Sequence, residues 1–244
     1  MFRSLAFAGV LAVSALAAPA AVQAATFSSQ QKQEIEQLVR QYLLENPEII
    51  EEAALALRDK REKQAKSARD DAVKTLLPRL IESDLPVLGN PDGDVTILKF
   101  SDYQCGYCKA VSEPLLSAVN KDGNIRLLIV EYPILGANSY FAAHAALAAK
   151  NQGRFEDMHK ALLAHNGQIS EKVVERIAQN LGLDFEQMKK DMQGEEITQK
   201  LMSNIAIARQ LQITGTPAFF VDNDFVGGAN LEKVMDLVTQ NRHK

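Results

Sequence analysis

The chain has 244 residues, of which 24% are charged, and a formal net charge of −4. That weak acidity gives no reason to invoke nucleic acid or anionic lipid as a partner. Its 2 cysteines are too few for a disulfide-stapled scaffold.

Residues 1–24 read as a cleavable export signal. Arg3 supplies a short positive start, and Leu5 to Ala18 is apolar but short for a bilayer span. Val22-Gln23-Ala24 offers small residues where a signal peptidase cuts, so Ala25 is the expected mature start. No cysteine follows the signal, which excludes a lipid-anchored N-terminus. The alanine-rich signal points to the periplasm of a Gram-negative bacterium.

Residues 25–57 read as helical, with Ile35, Leu38, Val39, Tyr42 and Leu43 on one face. Asn46-Pro47 breaks the run; asparagine suits an N-cap and proline the first helical position. A second helix follows, carrying Ile49, Ile50, Ala53 and Leu57. Two short helices cannot bury apolar stripes alone. They pack on copies of themselves or on their own main domain. Residues 58–90 are expected to form a linker. Its stretch from Arg58 to Asp71 is almost entirely charged or small, and is either a solvated helix or a tether. Leu85 to Asp94 is rich in turn residues.

Residues 91–244 carry the main α/β domain. Strand character appears at Val95–Phe100 and Ile125–Tyr132, with a helix between them. Helices fill about 137–212. Thr216–Val221 and Phe225–Gly228 read as paired strands, and Leu231–Val238 as a final helix. The order is that of an α/β sheet interrupted by a helical insertion.

Both cysteines fall in one motif, Cys105-Gly106-Tyr107-Cys108, after the first strand and at a helix start. Closing so short a loop restrains little chain entropy, so a structural bridge there stabilises poorly. A reactive redox pair suits the spacing better. Unpaired N–H groups at the helix start favour a thiolate at Cys105, the nucleophile; Cys108, one turn inside, is the resolving thiol. Gly106 and Tyr107 influence the pair through local flexibility and hydrogen bonds. Structural zinc needs four ligands, and no second cysteine pair or spaced histidine pair exists. His144, His159 and His165 read as surface or packing residues. Two thiolates can hold Cu(I), so copper binding at Cys105 and Cys108 stays open. Gly215-Thr216-Pro217 lies just before a strand. If its proline is cis, Thr216 presents a backbone edge to substrate near the cysteines.

Asp102-Tyr-Gln-Cys-Gly-Tyr-Cys-Lys109 together with Gly215-Thr-Pro-Ala218 resembles the thioredoxin superfamily. The helical block resembles its DsbA-like branch, and the thiol motif with Thr216 before Pro217 is similar to that of DsbC. The whole layout, with its N-terminal stalk, most resembles the ScsC proteins of the suppressor-of-copper-sensitivity system. The resemblance implies a thioredoxin fold with an inserted helical domain, preceded by an oligomerisation stalk able to trimerise. It implies a periplasmic disulfide isomerase acting on misfolded or misoxidised exported proteins. Such an enzyme is kept reduced by a membrane electron donor of ScsB/DsbD type and uses no cofactor beyond the Cys105–Cys108 disulfide. A DsbA-like dithiol oxidase is the alternative within the family, and a copper-tolerance protein is the alternative outside it. One position departs from the pattern. Where thioredoxin-like strands often bury an acid, six residues before the first cysteine, this chain has Lys99. A lysine steadies a thiolate but cannot replace a carboxylate base. Glu131, at the end of the next strand, is either that replacement or a solvated strand-end charge.

Overall fold

The computed structural model describes residues 27–243. The expected signal at 1–24 and the expected start at Ala25 lie outside them. The chain divides into two compact units after Arg58.

In the first unit, α1 (Ser29–Glu45) opens on a capping box. Ser28 Oγ accepts from the Gln31 backbone N–H at 3.2 Å, and Gln31 Oε1 accepts from the Ser28 N–H at 2.9 Å. Asn46 closes this helix instead of capping the next, because its Nδ2 donates to the Tyr42 carbonyl at 2.9 Å. Helix α2 (Glu48–Ile81) begins beyond Pro47. No residue of α1 is buried, and its apolar stripe faces solvent: Leu38 is 67% exposed and Tyr42 55%.

The second unit starts at Asp59, within α2. The charged stretch is therefore helix, with Lys66 paired to Asp70 at 2.8 Å one turn on. Such an exposed pair contributes only about 0.2–0.5 kcal/mol. Burial further along holds the helix in place. Val73, Leu77 and Leu80 recur on one face and pack against Leu98, Phe100, Leu128 and Val130 of the sheet. Arg69 adds a cation–π contact 3.7 Å from the Phe225 ring centre. The second compact unit thus takes in the stretch from Asp59 that was expected to be linker. The charge run conceals an apolar face that resumes at Val73.

Five strands form one sheet: β1 (Val87–Gly89), β2 (Val95–Ser101), β3 (Ile125–Glu131), β4 (Ala218–Val221) and β5 (Asp224–Gly227), in the order β1-β3-β2-β4-β5. Only β2 and β3 run parallel; the other neighbours are antiparallel. Strand β1 falls in the segment read as rich in turns. It ends at Gly89, where φ is +72° and a Cβ would lie 2.6 Å from the Ile125 carbonyl oxygen.

Between β2 and β3 runs α3 (Gly106–Asp122). Five helices fill the connection from β3 to β4: α4 (Ala137–Asn151), α5 (Phe155–Ala164), α6 (Glu171–Asn180), α7 (Phe185–Met192) and α8 (Glu195–Gln210). Helix α9 (Leu231–Arg242) follows β5. The strands are apolar nearly throughout because both sheet faces are covered. Ile97, Leu127, Ile129 and Phe219 join the core that holds α3, α4 and α9, whereas Leu98, Leu128 and Phe220 join the core of α2 and α8. Side chains alternate along a strand, so Lys99 shares the face of Ile97, and Glu131 that of Ile129.

Leu77→Ala removes a side chain with no exposed surface. It is expected to lower unfolding free energy by about 2–5 kcal/mol in urea titration. A chain begun at Pro91 loses β1 and this whole covering face, and is expected to show no cooperative transition.

Candidate active site

Strand β2 delivers the chain to Asp102, whose buried carboxylate organises the loop ahead of α3. Asp102 Oδ1 accepts from the Gln104 N–H and the Ser139 hydroxyl, each at 2.7 Å. Oδ2 accepts from the backbone N–H groups of Ile134 at 2.8 Å and Leu135 at 3.0 Å. Its carbonyl accepts from the Cys105 N–H at 3.2 Å. Cys105 is then the N-cap of α3, with extended dihedrals of −76° and 116°.

Both cysteines are present as thiols. Cys105 is 7% exposed and Cys108, one turn further in, is wholly buried. The Thr216–Pro217 peptide is cis, and the Cys105 thiol donates to the Thr216 carbonyl at 3.2 Å. A sequence separation of 111 residues thus closes into one contact. Around Gly106 the space is open, and Tyr107 stands 72% exposed beside the thiols.

Burial pushes the Cys108 thiol up to about 11. Hydrogen bonding from the Asp102 backbone and the Thr216 side chain opposes the shift, as does the charge of Lys99; a charged Cys105 adds to it. At neutral pH Cys108 therefore keeps its proton.

Lys99 is 1% exposed, lying under the thiols. Burial lowers its pKa, while the negative charges of Cys108, Glu131 and Cys105 hold it up. Glu131 is equally buried, so the reading of it as a solvated strand-end charge is corrected. Its Oε1 accepts from the Tyr103 hydroxyl at 2.6 Å, and its Oε2 has no partner. Desolvation raises it to about 8, against the Tyr103 hydrogen bond and the Lys99 charge, with Asp102 adding to the rise.

Tyr103, given no role in the sequence, and His159, read there as a surface or packing residue, join this cluster. Tyr103 is buried two positions before Cys105, and its hydroxyl also meets His159 Nδ1 at 2.7 Å. His159 stacks on Phe155 within α5, its ring centre 5.3 Å away. The signal available was an aromatic inside the thiol motif itself. Of the other histidines, His165 contributes only its carbonyl, to Lys109 Nζ at 2.6 Å, and His144 lies at the surface. Among the described residues no group of three or more His, Cys, Asp or Glu is gathered as a metal site.

The family described as DSBA-like thioredoxin domain matches residues 96–238, from β2 through α9. The chain belongs to the DsbA-like thioredoxin family. A second family, described as copper resistance protein ScsC N-terminal domain, matches residues 31–64. A thioredoxin-like oxidoreductase from Silicibacter pomeroyi DSS-3 is 42% identical, with a TM-score of 0.65 over 68% of this chain and 96% of that one. Proteus mirabilis ScsC, in a transitional conformation, is 25% identical, with a TM-score of 0.65 over 89% and 97%. A curated relative, Na(+)/H(+) antiporter NhaA 1 of Salinispora arenicola (strain CNS-205), is 29% identical over 156 residues. The match takes in 63% of this chain, which spans about a quarter (24%) of that protein's length. The family match spans Cys105, Cys108 and the Thr216–Pro217 peptide. Among the described residues, no helix is long and apolar enough to cross a membrane.

Glu131 binds its proton more tightly in the folded chain than its usual 4.5 allows. Its contribution to stability is therefore full below about pH 4.5 and lost as pH rises through about 8. Glu131→Gln abolishes that loss. Its stability relative to the native chain is expected to grow by on the order of 3 kcal/mol between pH 5 and pH 9. Parallel stability curves for the two chains, from urea melts at each pH, would place the ionised carboxylate in solvent.

Proposed function

We propose that this protein is a thiol–disulfide oxidoreductase and, within that class, a disulfide isomerase of the periplasm, acting on misfolded or misoxidised exported proteins. The observation that carries this reading is the placement of Cys108, wholly buried one helical turn behind a partly accessible Cys105. A resolving thiol that keeps its proton releases substrate slowly. A mixed disulfide then lasts long enough for the substrate to rearrange.

The Cys105 thiolate attacks one sulfur of a substrate disulfide. The substrate S–S bond breaks, a Cys105–substrate bond forms, and a substrate thiolate leaves. That thiolate attacks another disulfide of its own chain. A substrate thiolate finally displaces Cys105, and no electrons are gained or lost overall. If rearrangement stalls, Cys108 loses its proton and attacks Cys105 Sγ. The substrate leaves reduced by two electrons, and the enzyme holds the Cys105–Cys108 disulfide. A membrane electron donor of ScsB/DsbD type then restores the dithiol, and no other cofactor takes part.

Thr216 and Pro217 supply the docking edge. The Thr216 carbonyl that meets the Cys105 thiol is available to a substrate backbone once that thiol is engaged. Exposed Tyr107 offers an aromatic surface to the same chain. Lys99 and Glu131 tune the buried charge beneath.

The stalk supports self-association, as a trimer. Ile35, Val39, Leu43 and Leu44 line an apolar groove on α1. The match to the ScsC N-terminal family covers this segment. Several thiol pairs on one scaffold raise the effective concentration at which a released substrate is recaptured. Apolar residues of the leader, and the family, support the periplasmic location.

Reduced protein is expected to restore activity to scrambled ribonuclease, and Cys105→Ser to abolish it. A chain begun at Asp59 is expected to be monomeric in solution and to rescue ribonuclease at least several-fold more slowly, while still exchanging disulfides with small thiols. Failure of the reduced protein to rescue, with rapid oxidation of reduced ribonuclease by its disulfide form, would make it an oxidase.

A further inference from the structure

Helix α8 ends just before the cis Thr216–Pro217 peptide. The last carbonyls of a helix lack partners within it, and its C-terminus carries partial negative charge. Arg69, on α2, supplies donors and charge together. Its Nε donates to the Leu211 carbonyl at 3.1 Å, across a separation of 142 residues, and its Nη2 reaches the Gln212 carbonyl at 3.5 Å. Gln212 has a φ of +54°, a left-handed conformation that a non-glycine residue keeps only when its surroundings impose it. The next carbonyl, that of Ile213, accepts from the hydroxyl of buried Tyr132 at 3.0 Å. Three successive carbonyls, Leu211 to Ile213, are therefore held by two side chains from distant parts of the chain.

The same guanidinium also holds the other arm. Its carbon lies 3.7 Å from the centre of the Phe225 ring on β5. Phe225 in turn packs on Phe220 of β4, with ring centres 5.2 Å apart. On that side the Gly228 N–H donates to the Pro217 carbonyl at 2.9 Å. One side chain thus ties the segment entering the cis peptide to the hairpin leaving it. Between Ile213 and Thr216 stand only Thr214 and Gly215. Both are exposed, and neither has a hydrogen-bond partner among the described residues. Such a spacer cannot place Thr216 by itself, so its upstream position is inherited from Ile213.

We propose that Arg69 and Tyr132 are positioning residues for substrate docking. They fix Leu211–Ile213 and, through that segment, hold the Thr216 carbonyl where a substrate backbone meets it beside Cys105. The proposal rests on the reading of Thr216–Pro217 as the docking edge, and it holds whichever way electrons run through the thiols. Both residues act through the docking segment and not on the sulfurs.

Releasing the segment has a defined consequence. A loose segment samples many positions, and only some of them offer the Thr216 carbonyl to a partner. Apparent affinity falls by the fraction of time spent in the competent arrangement. A disulfide with no peptide backbone loses nothing by this. The effect therefore falls on the binding of polypeptides and spares attack on small disulfides. Because the two residues hold one segment, losing either frees most of it, and losing the second adds little.

The test uses the full chain in its dithiol form and two probes that release the same coloured thiolate. One is an extended peptide whose single cysteine is joined to thionitrobenzoate by a disulfide. The other is the symmetric disulfide of thionitrobenzoate, which has no peptide backbone. Arg69→Met keeps an unbranched side chain over Phe225 but loses the donors. It is expected to raise the half-saturating peptide concentration about five- to tenfold, with the maximal rate and the reaction of the symmetric disulfide changed less than about twofold. Tyr132→Phe is expected to raise it about three- to fivefold with the same selectivity. The double variant is expected to match the larger single effect instead of multiplying the two. Equal slowing of both probes, an unchanged half-saturation in either single variant, or multiplied effects overturns the proposal. Should Arg69→Met lack a cooperative urea transition, Arg69→Lys, which keeps a charge over the Phe225 ring, takes its place. Peptides N-methylated at each residue flanking the cysteine in turn test the docking edge itself. If no methyl group weakens binding to the native chain, the docking reading fails and the proposal with it. If methylation weakens binding and the variants do not, the proposal alone fails. Ribonuclease rescue is scored separately, and its failure leaves the peptide result intact.

Discussion

The carboxylate of Asp102 holds this site together. Four hydrogen bonds converge on it, from the loop before α3, the loop after β3 and the first turn of α4. Bonds to an ionised acceptor are shorter and stronger than neutral ones. An acid wholly removed from water is tolerable only when its lone pairs are so fully used. The arrangement fixes three segments at the end of β2, and Cys105 inherits its place from them. The helical block is thereby attached at the thiols as well as packed beside them.

Beneath Asp102 the sheet changes character. Ile97 and Ile129 are ordinary core residues, but Lys99 and Glu131, two positions further along the same face, are buried and ionisable. Placing such groups in a packed interior costs stability unless their charges answer one another. Here a lysine, a carboxyl and two thiols share one small region and act on one another's charge. A domain built only for stability would have apolar residues at these positions. Thiol chemistry gives a physical reason for them.

How much of this was readable in advance depended on whether the signal lay along the chain or across it. The thiol pair and Thr216-Pro217 were legible because each is a compact motif with a strand beside it. Helix periodicity located α1 and α2 for the same reason. The packing of Val73, Leu77 and Leu80 on the sheet was not legible because the charged residues from Arg58 to Asp71 mask their apolar spacing. Strand β1 has three residues between Pro86 and Asn90, too few for alternation to register. Tyr103 and His159 are 56 residues apart and meet only in the folded chain. Nothing local separates a histidine at the surface from one that meets a buried tyrosine. Glu131 was ambiguous because burial at a strand end depends on what covers it, and α5 and α8 are distant in sequence.

The sheet's two borders, β1 and β5, have three and four residues. An unpaired strand edge is a template on which another extended chain can add itself, and length makes the template effective. In this domain both borders stay near the shortest length a strand has. Its short borders give a passing strand little to zip onto. Borders this short keep another extended chain from adding itself as a permanent sixth strand.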